Sequence, residues 1–295
     1  MKKHLWSRFG TQNAALPAKR RSVDHNQIAS TADACLLFEL ETWPKPGLVS
    51  HIDCGSHYDM TSQTFRDSAA AIKPFFAALA NAGAKDCEMG KLRLIGMEAE
   101  AAMRKVTNGI NTHRGAIFGM GLLCAAAGAQ KSGAVAQNLS LGAIVRKRWG
   151  CDIIDGPILL HSHGDRARRR FGAGGARLEA AQGFPTVYQV GLPALRDATE
   201  ACPHDLEAAR VQTCFALIAS LEDTNLLHRG GPHGLLYARQ LAQDFLDNGG
   251  IRAPHWKRRA ALIHQQFVDR RLSPGGSADL LAMTLFVEAC EKRRI

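Results

Sequence analysis

Residues 107–129 read TNGINTHRGAIFGMGLLCAAAGA, and the two halves of this stretch make opposite demands. From Gly115 to Ala129 nearly every position is apolar or glycine, so a helix here has no polar face to turn to water and belongs at the centre of a core. The run is too short to span a bilayer and is punctuated by glycines. Just before it, Gly109 breaks one helical pattern, and Asn111 or Thr112 is placed to cap the next, with His113 and Arg114 in its first turn. The partial positive charge of a helix start disfavours bases there by about 0.3–1 kcal/mol. Two bases at that point suggest an external anion: open backbone N–H groups bind phosphate, and Arg114 adds charge-assisted hydrogen bonds. The plain alternative is a pair of solvated surface side chains whose small penalty is tolerated. Gly115 and Gly119, four residues apart, are expected to admit a neighbouring helix rather than a ligand.

Outward from this segment, the helical period dominates. Ile28, Ala32, Cys35, Leu36 and Glu39 mark one helix, ended by Pro44 and Pro46. Thr61 or Ser62 caps a second, running to about Asn81, and a third spans about Met89 to Val106. Leu206 to Leu221 and Ala278 to Cys290 read as two more. Alternating strand patterns are scarce; Thr186 to Val190 is the best and is short. The expectation is an all-α, single-domain multi-helix bundle with long Gly/His/Arg-containing loops. It comprises a basic tail over 1–22 and a helical catalytic domain over 23–295.

The composition fits an ordinary soluble globular protein. Apolar residues make up 46% and charged residues 22% of the 295, and 37 Lys+Arg against 27 Asp+Glu give a formal charge of +10, suited to an anionic partner. Eight cysteines without a C-x-x-C pair point to small core hydrophobes in a reducing cytoplasm rather than a disulfide scaffold. The basic start lacks the apolar run of a secretory signal, and no membrane association is expected.

Five polar stretches interrupt the helices: PKPGLVSHIDCGSHYDM (44–60), TNGINTHRG (107–115), HSHGDRARRRFGAGGARLEA (161–180), EDTNLLHRGG (222–231) and SPGGSAD (273–279). They exceed what connection requires, and loops are where sites are built. GAGGAR is neither a P-loop, having no G-K-[ST], nor a dinucleotide fingerprint. Carboxylates recur beside these stretches, among them Glu39, Asp53, Asp59, Glu100, Asp165, Glu179 and Asp223. A few such oxygens shared with substrate phosphates are how Mg²⁺ is commonly held. Neither His57 with Asp59 nor His161 with His163 has the spacing of a zinc motif. These residues describe a helical enzyme that binds a polyphosphate with Mg²⁺, and they leave the reaction open.

The same stretches, with MRKVTNGINTHRGAIFGMGLL, GARLEAAQGFP and RRLSPGGSADLLAMTLF, resemble the triphosphoribosyl-dephospho-CoA synthase family over about residues 28–290. The resemblance implies an all-helical enzyme using ATP and 3′-dephospho-CoA. The 2′-hydroxyl of dephospho-CoA attacks C1 of the ATP ribose, adenine leaves, and the triphosphoribosyl group is transferred intact. The product is the prosthetic-group precursor that a downstream transferase places on an acyl carrier protein. The LVSHIDCGSHYDM and HRGG wording is more similar to the malonate decarboxylase branch than to the citrate lyase branch.

The resemblance also implies roles. Lys45, Arg114, Arg177 and Arg229 would clamp phosphates, with Gly47, His57, Asp59, Asn111, Gly174, Gly175 and Asn225 contributing to substrate binding. Glu100, Glu179 and Asp223 would supply Mg²⁺ ligands or the base, and His113 joins them as a catalytic group. Arg114 stands where the commonest family wording has lysine, giving a forked rather than a point-charge contact. Two readings compete: a Mg²⁺-dependent nucleotide hydrolase, and a basic RNA-binding protein. The latter lacks any RNA-binding signature and has only 6% aromatics for stacking, so no nucleic-acid partner is expected.

Overall fold

A computed structural model describes residues 22–157 and 174–292. The basic tail up to residue 21, and the part of the third polar stretch carrying His161, His163, Asp165, Arg166 and Arg168–Arg170, lie outside the described residues. Among the described residues the chain is all α, without strands. Eleven α-helices follow one another: α1 (His25–Leu40), α2 (Ser62–Ala84), α3 (Met89–Val106), α4 (Arg114–Ser132), α5 (Leu141–Asp155), α6 (Gly175–Ala181), α7 (Leu192–Ala201), α8 (Leu206–Ser220), α9 (Thr224–Asp247), α10 (Trp256–Asp269) and α11 (Gly275–Glu291). Residues Thr186 to Val190, the best strand candidate, instead enter a π-helical turn over Val187–Gly191. The turn runs straight into α7, so the β-branched residues pack within a helical layer and local strand preference is overridden.

Helix α4 is the axle of the bundle, with 15 of its 19 residues buried. It packs on α2, α5 and α11, and α2 in turn is flanked by α1 and α3. Small residues bring α2 and α4 close. A side chain on Gly83 would fall on the Ala125 carbonyl, and one on Gly128 would fall on the Ala80 carbonyl. Gly119 does admit a neighbour, since Met283 of α11 and the Phe184 ring occupy the space its side chain would take.

Caps fix where the helices begin. Thr61 and Thr64 form a reciprocal capping box at α2, while Asp24, Ser140, Asp205 and Asp223 cap α1, α5, α8 and α9. The loop expectation needs correction at three of the five polar stretches. GARLEAA is α6, TNLLHRGG is the first part of α9, and GGSAD opens α11. Their glycines mark helix starts and a bend rather than loops. Gly231, at φ 63° beside Pro232, kinks α9 without ending it.

Candidate active site

The first polar stretch leaves α1 through a cis Trp43–Pro44 bond and buries Lys45 completely. The Lys45 ammonium pairs with Glu39 from the last turn of α1, which is 6% exposed. Burial pushes the Glu39 carboxyl up, and the neighbouring ammonium pulls it back. The Lys45 carbonyl lies 2.6 Å from Nδ1 of His264 on α10, and Nε2 of that ring lies 3.2 Å from Asp53. Asp53 also accepts the Trp43 indole N–H at 3.2 Å. The lysine is therefore held at both ends, by α1 through its side chain and by α10 through its backbone.

Three helix starts converge on this pair. Asp223 caps α9 through Oδ1, accepting from Asn225 N–H at 2.8 Å and Leu226 N–H at 3.4 Å. Its Oδ2 accepts the N–H and hydroxyl of Ser277, at 2.9 and 3.1 Å, in the first turn of α11. Gly276 permits this approach, since a side chain there would press on the same carboxylate. Two residues past Ser277, the Asp279 carboxylate accepts the Ala116 N–H at the start of α4 and occupies the space that a side chain on Gly115 would fill. Gly175, at φ 59° and the first residue of α6, lies against the Thr224 methyl, so Gly174 and Gly175 border this region.

The α4 start consequently differs from the picture of two bases awaiting an external anion. The group that meets its first turn is the chain's own Asp279 carboxyl, which burial and the neighbouring carboxylates hold toward its uncharged form. His113 is no surface cation: it is 4% exposed, with Nδ1 2.7 Å from the Ser68 hydroxyl and Phe65 edge-on to its ring. Burial, reinforced by the Lys45 charge, drops its pKa to about 3, so it is neutral at physiological pH. Arg114 stays partly open. Its backbone N–H donates to Asn111 Oδ1 at 3.2 Å, and its guanidinium faces Glu100 at 3.4 Å.

A second cluster forms the rim. Arg229 of α9 donates to the Ser56 and Arg271 carbonyls and approaches His57 Nδ1 at 3.1 Å, while His57 Nε2 lies 2.8 Å from the Ser273 hydroxyl. Burial and the Arg229 charge lower His57 to about 4. Asp59 stands 3.7 Å from the ring and is exposed, as is Tyr58 beside it. Gly47, at φ 66°, has no room for a side chain against the Leu272 carbonyl, so the 44–60 stretch docks on the segment leading into α11.

Other expected site residues are occupied elsewhere. Arg177 donates to the carbonyls of Ile153, Ile154, Gly156 and Pro157, satisfying the end of α5. Glu179 accepts the N–H and hydroxyl of Thr186 at 2.8 and 2.9 Å, and Glu100 is shared between Arg104 and Arg114. Glu100, Glu179 and Asp223 thus each serve separate partners, and among the described residues no three His, Cys, Asp or Glu side chains gather to hold a metal ion. This set does not fit a resident Mg²⁺. Two surface depressions, one bordered by Ile28, Gln130 and Cys290 and one by Leu227, Pro232 and Leu236, share no residue with the polar centre.

Sequence reasoning passed over Asp279, Ser277 and His264, and noted Glu39 without placing it in the site. Glu39 carried a signal, since it continues the apolar face of α1 yet is an acid beside a prolyl-flanked lysine. Ser277 and Asp279 sat within a quoted stretch, where the glycines drew attention away from them.

A deep carboxylate–lysine centre, ringed by glycine-marked helix starts and a basic rim, is the architecture of an enzyme that handles an anionic substrate. The sequence profile described as ATP:dephospho-CoA triphosphoribosyl transferase matches residues 25–295, and the chain belongs to that family of transferases, which use ATP and dephospho-CoA. The chain is 38% identical over 283 residues to a protein of Stutzerimonas stutzeri named "Probable 2-(5''-triphosphoribosyl)-3'-dephosphocoenzyme-A synthase", covering 93% of this chain and 95% of that one. Identically named proteins of Photobacterium profundum and Azotobacter vinelandii are each 38% identical, covering 84% and 90% of this chain and 82% and 91% of theirs. No solved structure matches. Among the described residues no helix is long and apolar enough to cross a membrane.

The buried histidine makes a prediction. Its folded pKa of about 3 lies below the ordinary 6.5, so the folded state binds fewer protons than the unfolded state in between. Stability from this group is complete above about 6.5 and is lost as pH falls toward about 3. Urea midpoints of the wild type should fall more steeply than those of His113→Gln between pH 6 and 4. Parallel curves would mean that the imidazole titrates alike folded and unfolded.

Proposed function

We propose that this chain transfers the triphosphoribosyl group of ATP to the 2′-hydroxyl of 3′-dephospho-CoA and releases adenine. The product, 2′-(5″-triphosphoribosyl)-3′-dephospho-CoA, is then attached by a downstream transferase to the acyl carrier protein of malonate decarboxylase. Family membership supports the reaction. The observation that carries it to this site is the meeting of four separated sequence stretches around Glu39, Lys45, Asp223 and Asp279.

The reaction keeps the phosphates and discards the base, so the protein must hold the triphosphate without activating its P–O bonds. Of the four expected phosphate clamps, Lys45 is committed to Glu39 and Arg177 to the α5 carbonyls. Arg114 and Arg229, both accessible, remain for the phosphates, with Asn111 and Asn225 beside them at helix starts. Mg²⁺ on this reading accompanies ATP, bound through the phosphates rather than by a set of protein carboxylates. The malonate branch rests on the LVSHIDCGSHYDM and HRGG wording, and citrate lyase is the other recipient to test.

Incubation with ATP, Mg²⁺ and dephospho-CoA should release adenine only when dephospho-CoA is present, with no ADP. Formation of ADP or inorganic phosphate would instead establish the hydrolase. Deleting the gene should leave the malonate decarboxylase carrier unmodified by mass spectrometry, whereas an unmodified citrate lyase carrier would assign the other branch.

A further inference from the structure

Three carboxylates stand at the polar centre with one ammonium between them. Glu39 and Asp223 are sealed, at 6% and 1% exposure, and their oxygens are engaged by Lys45 in the first case and by four N–H and O–H donors in the second. Asp279 is different. Protein surrounds it, yet the residue keeps part of its surface open, and among the described residues its hydrogen-bond donor is the Ala116 N–H. The absent side chain of Gly115 gives the carboxylate its place at the mouth of α4. Ser273, which bonds the rim histidine His57, lies just before the start of the same helix α11.

We propose that Asp279 is the general acid that protonates the departing adenine, an assignment that rests on the transfer reaction proposed above. As the bond from C1 to N9 breaks, its electron pair goes to adenine, and the Asp279 proton goes to a ring nitrogen of the base. The 2′-oxygen of dephospho-CoA bonds C1, its proton passes to water, and Asp279 regains a proton from water before the next turnover. The acid form is the one this position favours. Burial and the negative charges of Glu39 on α1 and Asp223 at the α9 start all oppose ionisation, and the single Lys45 ammonium is already claimed by Glu39. A carboxyl group kept neutral by its surroundings is suited to give a proton to a poor leaving group.

The test compares ATP with N7-methyl-ATP, whose base already carries a positive charge and departs without an added proton. D279N should lower kcat on ATP by roughly 10²–10⁴-fold, leave KM for dephospho-CoA within a few-fold, and recover most of its rate on N7-methyl-ATP. G115A, whose new methyl group displaces the carboxylate, should show the same pattern more weakly. The wild-type kcat profile on ATP should fall at alkaline pH as Asp279 ionises, and D279N should lack that limb. Folding is checked by urea unfolding, in which D279N should match the wild type at neutral pH because the amide replaces a carboxyl group that is already uncharged there. Full turnover of D279N on ATP, an equal loss on both nucleotides, or an unchanged alkaline limb overturns the assignment. A wild type that releases no adenine defeats the transfer reading itself. Release by the wild type without rescue of the variant defeats only the role of Asp279.

Discussion

Lys45→Met should unfold at markedly lower urea concentration than the wild type, with a loss of about 3–5 kcal/mol. Methionine matches the length of the lysine stem, so packing is not the cause. The cost comes from leaving the Glu39 carboxylate buried without its cation. Glu39 relieves that cost by taking up a proton, which fixes the pH dependence. Its folded pKa rises further above the unfolded value, so the variant loses stability as pH rises and recovers it in acid. Adding Glu39→Gln to Lys45→Met should return most of the stability. Equal urea midpoints for the wild type and Lys45→Met at pH 8 would show that the pair contributes nothing to the fold.

Asp223→Ala is the second large effect. One carboxylate accepts four hydrogen bonds and thereby starts two helices, α9 and α11. Losing a cap costs about 0.5–2 kcal/mol, and stranding buried donors adds about 1–3 kcal/mol. A total of about 3–4 kcal/mol is expected from denaturant unfolding. Asn keeps one acceptor oxygen and turns an NH₂ group toward the other helix start, so Asp223→Asn should lose about half as much. The two substitutions also separate structure from chemistry. If Asp223 acts by building the site, turnover of Asp223→Asn at low temperature stays within about tenfold of the wild type. If its charge takes part in the reaction, turnover disappears while the chain remains folded.

Much of the fold was legible because most helices announce themselves by a stripe of apolar residues and a polar cap. The third helix spans Met89–Val106 as its periodicity implied, and Thr61 caps the second. Helix α10 was not legible. Its buried face consists of Ala260, His264 and Phe267, and a histidine at the centre of the stripe hides the period. Helix α5 was obscured by the basic run within LGAIVRKRWG, which breaks the apolar pattern although Ile144, Val145 and Trp149 are buried.

In the site, stretches chosen for their glycines and charges did converge. What sequence could not supply was the direction each charge faces. Arg177 and Arg229 look alike in the chain, yet one closes the end of α5 and the other reaches the rim. His113 read as a cation because its neighbour is one, and burial beside Ser68 and Phe65 makes it neutral.

The glycine notches of α4 have a consequence for how this chain can change in length. Gly128 seated on Ala80 and Gly83 seated on Ala125 fix the far half of α4 against sliding and rotation. From Gly128 back to Arg114 is about 20 Å of helix at 1.5 Å per residue, so the notch acts as a gauge that sets where the Ala116 N–H meets Asp279. One residue inserted between notch and helix start would turn that end by about 100°, taking Gly115 and the Ala116 N–H away from Asp279, His113 away from Ser68 and Arg114 away from Glu100. Insertions are therefore excluded from this interval, and length variation has to be accommodated in the connections between helices.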